Sequence, residues 1–229
     1  MMRLQQSTAK PPLNPGLLAP ARGLSVCDGA ARSEVEGYIA GIFQISYGAQ
    51  VNEFMPLLVG LRETIDFSAA LGLRGAADGS LFCEQYLSNP VESYVHTVFG
   101  QTTARERIFE MGHLVASNHG HAALLYTLVG AALYEAGIDY LLFTANRAVR
   151  ISLQRNGFAG EQIAEADRRL LGPSSGDWGS YYESGPRVML GDVRAAMRRR
   201  TADPMIRQLL HQYQSDIEAL VHSIEALQA

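Results

Sequence analysis

The spacing of apolar and polar positions divides the chain into an antiparallel meander, an alternating strand-and-helix unit and a terminal helical segment. Gly23 to Cys27 reads as a short strand. Ser33 followed three residues later by Glu36 is a capping-box signal. The helix it opens runs through Tyr38, Ile39, Ile42, Phe43 and Ile45 to Ser46, and closes near Gly48. Phe54–Arg62 (FMPLLVGLR) and Phe67–Arg74 (FSAALGLR) predict two strands joined by a polar turn at Glu63 and Thr64. Pro56 belongs at the first strand's start or edge, because proline has no N–H to give to a ladder. After the Asp78-Gly79 turn, Leu81–Leu87 (LFCEQYL) reads as a further strand carrying Glu84.

Arg107–Ala116 (RIFEMGHLVA) is the next predicted strand, and the polar turn Ser117-Asn118-His119-Gly120 follows it. The helix beyond is apolar nearly all round, through Ala122, Leu124, Leu125, Leu128, Val129, Ala132 and Leu133, so it is expected to be buried on most sides. Gly137 ends it. Tyr140–Thr144 is a continuous apolar strand of the kind covered on both faces. An amphipathic helix spans Arg147–Arg155, and Arg187–Leu190 is the last strand. This order predicts an α+β fold with a mixed central sheet flanked by helices. From Ile206, apolar residues recur at Leu210, Tyr213, Ile217, Leu220, Ile224 and Leu227, alternately four and three apart, which is a heptad seam. Two readings of this added C-terminal helix stay open: docking on its own domain, or pairing in a homodimer. The predicted organisation is a disordered arm over 1–22, rich in proline, a domain over 23–200 and an amphipathic helix over 201–229.

Composition narrows the classes. In a chain of 229 residues, 47% hydrophobic and 18% charged residues suit one domain with a substantial core. A net charge of −4 argues against a nucleic-acid partner, and the one basic run, Arg198-Arg199-Arg200, reads as a solvated helix end. Cys27 and Cys83 are too isolated for a disulfide framework. The most apolar stretch, Ala122–Leu133, is shorter than the roughly 18 to 20 residues that span a bilayer. The first residues lack the apolar core of a signal peptide. A cytoplasmic protein without a transmembrane segment is the expectation. His119 and His121 do not share a helical face, and no Cys or carboxylate completes a ligand set, so no metal is expected. G-x-S-x-G, P-loop and G-x-G-x-x-G patterns are all missing.

The chemistry concentrates in the passage from Glu110 to His121. A polar turn entering a buried helix presents unpaired backbone N–H groups, which attract phosphate or pyrophosphate. Ser117, Asn118, His119, Gly120 and His121 are therefore the cofactor-binding candidates, with Asn146 and Arg150 at the start of the second helix. Glu110, turned inward by strand alternation, is a candidate general base, and His113 on the same strand is the second catalytic candidate. The only tryptophan, Trp178, and Tyr181 and Tyr182 gather in a glycine-flanked loop, which suggests a pocket wall or lid. Glu84 and Tyr86 join them as substrate-binding candidates.

LFCEQYL, EMGHL (Glu110–Leu114), LLFTAN with LQRNGF (Leu141–Phe158) and WGSYYESGPRVMLG (Trp178–Gly191) together resemble the bacterial thermostable hemolysin family over roughly residues 30 to 195. His113 stands where that family's E-x-G-N-L pattern has asparagine. The same order is similar to acyl-homoserine-lactone autoinducer synthases, whose Glu-x-Ser-Arg-Phe strand falls on Glu110–Leu114. Their N-terminal arginine and tryptophan signature is not found here. The resemblance implies a GNAT-like fold and an N-acyltransferase with no permanently bound cofactor. Its donor would be acyl-CoA or a phosphopantetheine-linked acyl carrier protein, its acceptor an amino-acid-like amine. Direct transfer needs no covalent intermediate, so neither Cys83 nor Ser117 is assigned a nucleophile's role. A membrane-active hemolysin and a non-catalytic binder of acyl ligands or a protein partner are the alternative classes.

Overall fold

The computed structural model describes residues 23–63 and 65–228; the arm expected over 1–22 and Thr64 of the expected turn lie outside the described residues. The apolar runs become seven strands of one sheet: β1 (Gly23–Val26), β2 (Leu57–Glu63), β3 (Asp66–Gly75), β4 (Ile108–Ala116), β5 (Tyr140–Ala145), β6 (Glu161–Glu165) and β7 (Arg187–Asp192). Their order is β1-β2-β3-β4-β5-β7-β6, and only β4 and β5 run parallel. The helices are α1 (Gly29–Tyr47), α2 (Val91–Phe99), α3 (His119–Glu135), α4 (Arg147–Arg155), α5 (Val193–Thr201), α6 (Pro204–Gln212) and α7 (Gln214–Ala226). Strand alternation sends Leu71, Leu73, Phe109, Met111 and Phe143 to one face, where they meet Leu125, Leu128 and Leu133 of α3 and the buried residues of α7. The opposite face carries α1, through Val35, Ile39 and Phe43, and α2, through Val91 and Val95.

Three expectations change. Leu81–Leu87 is no strand: Phe82–Tyr86 is a 3₁₀ turn. The N–H groups of Leu81, Phe82 and Cys83 go to the carboxylates of Glu84 and Glu110 instead of to a ladder, so Glu84 sits in a turn. The first helix begins at Gly29, with Asp28 as N-cap, leaving Ser33 inside it; Glu36 pairs with Arg32 at 2.8 Å. The C-terminal segment is two helices broken at Tyr213, and α5 ends at Thr201 just before them. The α7 part of its seam is filled in cis, while α6 buries no residue. Ile217, Leu220 and Ile224 are buried in the cluster that holds α3, and Asp216 Oδ2 accepts the Leu24 N–H at 2.9 Å, tying α7 to β1. Among the described residues no helix is long and apolar enough to cross a membrane. Every cationic side chain other than histidine in the described residues is an arginine, Lys10 being the chain's only lysine.

Candidate active site

The site begins with an irregularity in β4. Opposite β3, Ala70 pairs with Val115 and Gly72 with Gly112, so β4 holds one residue more than its neighbour across this step. That is a β-bulge. His113 sits in it with φ 54°, a left-handed conformation that histidine, asparagine and aspartate tolerate better than most residues. Asparagine, which the resembled E-x-G-N-L pattern has at this position, shares that tolerance. The bulge also changes the strand's phase: Met111 packs on the α3 face, while Val115 packs on the α1 face. On its other side β4 pairs with β5 only as far as Met111 and Phe143, beyond which the two strands part. A cleft of about 550 Å³ opens there, lined by the β4 residues Glu110–Ala116 and by Thr144, Ala145 and Asn146 of β5 and its end. Its size suits a small-molecule site.

Glu110, 1% exposed, forms part of the cleft wall. Its Oε2 accepts the Phe82 N–H at 2.8 Å and its Oε1 the Cys83 N–H at 2.7 Å, so it caps the 3₁₀ turn from a distant strand. The Cys83 thiol also bonds to it. An ionised carboxylate offers about four lone-pair sites, so some accepting capacity remains after these three bonds. Burial raises its pKa above the ordinary carboxylate range even though these bonds and Arg74 oppose the shift. A raised pKa makes it a stronger base than an exposed glutamate. Cys83 lines the same wall, but burial first, and then the Glu110 charge, push its thiol well up. A thiolate is the reactive form, so Cys83 should resist alkylation by iodoacetamide at about pH 8 in the folded protein and react once unfolded. Prompt labelling of the native protein at Cys83 would contradict this.

His113 is mostly buried, and burial lowers its pKa to about 4, so the ring is neutral at physiological pH. It bonds to the Glu53 backbone and packs at 5.4 Å from the Phe54 ring, while Nδ1 has no partner among the described residues. The ring is therefore a weak base with an open acceptor. Asn146 caps α4 by accepting the Val149 N–H at 3.0 Å and donates to the Tyr47 hydroxyl at 3.1 Å. Trp178 and Tyr181 complete the wall. They join Phe43 and Tyr47 of α1 and Phe82 in one aromatic cluster. Backbone bonds from Gln50 to Asp177 (2.6 Å) and from Ser180 to Tyr47 (2.8 Å) anchor this loop to the end of α1. Gly179 makes that contact possible: at φ 51°, a Cβ would fall 2.0 Å from the Tyr47 carbonyl oxygen.

Of the residues expected from sequence, Glu110, His113, Asn146, Trp178 and Tyr181 meet at the cleft, and the others stand outside its lining. The turn Ser117–His121 is occupied by its own groups. Asn118 accepts the His121 N–H, both Ser117 and Asn118 bond the His121 ring, and Glu63 lies 3.3 Å from His121 Nε2. A carboxylate beside a self-capped helix start disfavours a phosphate there. His119 and Gly120 fall in this same first turn of α3. Arg150 donates to the Ala145 carbonyl at 2.8 Å. Glu84 is bound by Arg105, which also holds Glu92. Burial acts to raise the Glu84 pKa, but bonds from Arg105, Leu81 and Val91 hold it below the usual range. Tyr86 and Tyr182 hydrogen-bond each other, and burial raises the Tyr182 hydroxyl to about 12. The residue that sequence reading missed is Arg74, on β3, which lines the cleft directly opposite Glu110.

The sequence profile of one family, described as thermostable hemolysin, matches residues 27–197. No curated protein sequence matches significantly. Among solved structures the chain is similar to TofI in an apo form, with 11% identity over 80% of this chain and 98% of that one and a TM-score of 0.54. It is also similar to FeeM, an N-acyl amino acid synthase from uncultured soil microbes, with 15% identity over 80% and 96% and a TM-score of 0.51. The AHL synthase LasI matches with 9% identity over 74% and 89% and a TM-score of 0.50. At such identities the likeness is one of fold, which is GNAT-like.

Proposed function

The chain belongs to the thermostable hemolysin family, and from the cleft it builds we propose that it is an N-acyltransferase. It would move an acyl group from acyl-CoA or an acyl carrier protein to the amine of an amino-acid-like acceptor. The observation that carries this reading is the parting of β4 and β5 beside a buried, base-like Glu110. Where the β4–β5 ladder stops, strand-edge amides are open to an extended, amide-containing donor arm, which can pair with them as an added strand does. The same N–H groups suit the negative charge that develops on the thioester oxygen during attack. Glu110 takes the amine proton as the nitrogen bonds to the acyl carbon. The carbon–sulfur bond then breaks, and the departing sulfur takes up the proton that Glu110 removed from the nitrogen, leaving as the thiol and restoring the carboxylate. His113, neutral, accepts a hydrogen bond from the acceptor without competing as the base. The Trp178 and Tyr181 loop keeps water from the thioester. The FeeM and LasI names, which are those of acyl-transferring synthases, fit this reading.

The test is thiol release from medium- and long-chain acyl-CoA and acyl carrier protein, with and without amino acids, using mass spectrometry to find the amide. Release that depends on an amine is expected. Dye leakage from liposomes without any amine-dependent thiol release would instead favour direct membrane activity.

A further inference from the structure

The charges that line the cleft are unevenly matched. Glu53, Glu110 and Asp177 are acidic, His113 is neutral, and Arg74 is the only cation among the described lining residues. Arg74 is half-buried and makes no hydrogen bond or ion pair within the described residues. Seven other arginines of the described residues do otherwise. Arg32, Arg62, Arg105, Arg107, Arg169, Arg187 and Arg194 each meet a carboxylate. Glu110, the residue facing Arg74 across the β3–β4 ladder, is held by the Phe82 and Cys83 N–H groups. A partly desolvated guanidinium that feels Glu110 through space but has no hydrogen-bond partner among the described residues is a site for an anion, and its planar fork matches a carboxylate bidentately.

We propose that Arg74 binds the carboxylate of the acceptor, which makes the acceptor an α-amino acid. Resting on the acyl-transfer reading, this assigns the acceptor's two ends. Arg74 and Glu110 are direct partners in an antiparallel ladder, so their side chains leave the same face with Cα atoms about 4.5 to 5.5 Å apart. An α-amino acid carries its carboxylate and amine on a single carbon, so it presents an anion and an amine side by side to the face that Arg74 and Glu110 share. With the carboxylate on Arg74, the amine lies toward Glu110. A donor phosphate is a poorer occupant, because its higher negative charge would face three carboxylates in the same cleft.

The experiment compares full-length protein with Arg74→Gln and Arg74→Lys, after circular dichroism and melting confirm intact folds. With acyl-CoA and a panel of amino acids, their carboxamides and the matching decarboxylated amines, wild type should favour the acids. On the high-pH plateau, where the Glu110 carboxylate is ionised with or without Arg74 beside it, Arg74→Gln should raise KM for the acid by roughly thirtyfold to a hundredfold, leave kcat within a few-fold and leave the carboxamide KM unchanged, with partial recovery in Arg74→Lys. Calorimetry with N-decanoylglycine against N-decanoylglycinamide reads the same contact without turnover. Wild type should prefer the acid, and Arg74→Gln should not. If amines are acylated but neither KM nor this preference depends on Arg74, the inference falls and the transferase reading stands. If no amine is acylated yet the acid binds through Arg74, the transferase reading falls and the carboxylate site stands. No acid preference in either assay overturns the site.

Discussion

Replacing Glu110 with glutamine is expected to lower kcat for amine acylation by about a hundredfold or more, the scale of losing a general base. Donor affinity should change little, because the strand-edge amides that receive the donor remain. The variant also carries a structural cost. Both carboxylate oxygens accept backbone N–H bonds, and an amide NH₂ in place of one would face the Phe82 or Cys83 donor. That leaves a buried donor unmatched, at about 1 to 3 kcal/mol. Melting must therefore be followed beside turnover, and the rate loss should exceed what the folded fraction explains. The pH profile separates the two effects. Burial holds the Glu110 pKa above the ordinary range, so wild-type activity should rise through that shifted pKa as the carboxylate ionises. The stability linkage has the opposite sense: the stability favoured by the protonated form is full below the unfolded pKa and is lost as pH rises through the raised one. In Glu110→Gln the acid limb of the rate profile should vanish. A variant with wild-type kcat would make Glu110 only the cap of the Phe82–Tyr86 turn.

The second large effect concerns stability. Leu220 is 1% exposed, between Ile217 and Ile224 on α7, and packs in the cluster that includes α3. Leu220→Ala removes apolar atoms and leaves a cavity, which costs about 2 to 5 kcal/mol. At roughly 2 to 4 °C per kcal/mol for a chain of this size, Tm should fall by about 4 to 20 °C. Glu218→Ala, on the exposed side of the same helix, should shift it hardly at all. Because the α7 part of the seam is filled within the chain, the mass in sedimentation should be the same for Leu220→Ala and wild type. Loss of an oligomer with no change in Tm would point to pairing between chains instead.

Periodicity was enough to locate β2 to β5, α3 and α4, because each has a strong alternating, continuous or helical apolar pattern. It failed where partners are distant. LFCEQYL alternates like a strand, yet its first amides are bound by Glu84 and by Glu110, which lies beyond α2 in the chain. β6 has no buried residue and no apolar face to signal it, and α2 is a single short helix. Glu110 and His113 were legible as polar residues within an apolar strand. Arg74 was not, since at the end of FSAALGLR it looks like a solvated strand terminus. Only the β3–β4 register sets it across from Glu110. The bulge at His113 is equally silent in sequence, because nothing in E-M-G-H-L announces an added residue.

The use of arginine for every non-histidine cation in the described residues has a chemical consequence on the proposed reaction. A thioester held beside a cleft that recruits amines is a hazard to its own protein, since any nearby ε-amino group is itself an acceptor. A lysine can give up its proton and become a nucleophile, whereas a guanidinium stays protonated throughout the physiological range. The fold thus obtains its ion pairs and its charged surface from groups that its own acyl donor cannot modify. On that reaction, selectivity for the acceptor is set partly by the one nucleophile the described residues omit, the ε-amino group.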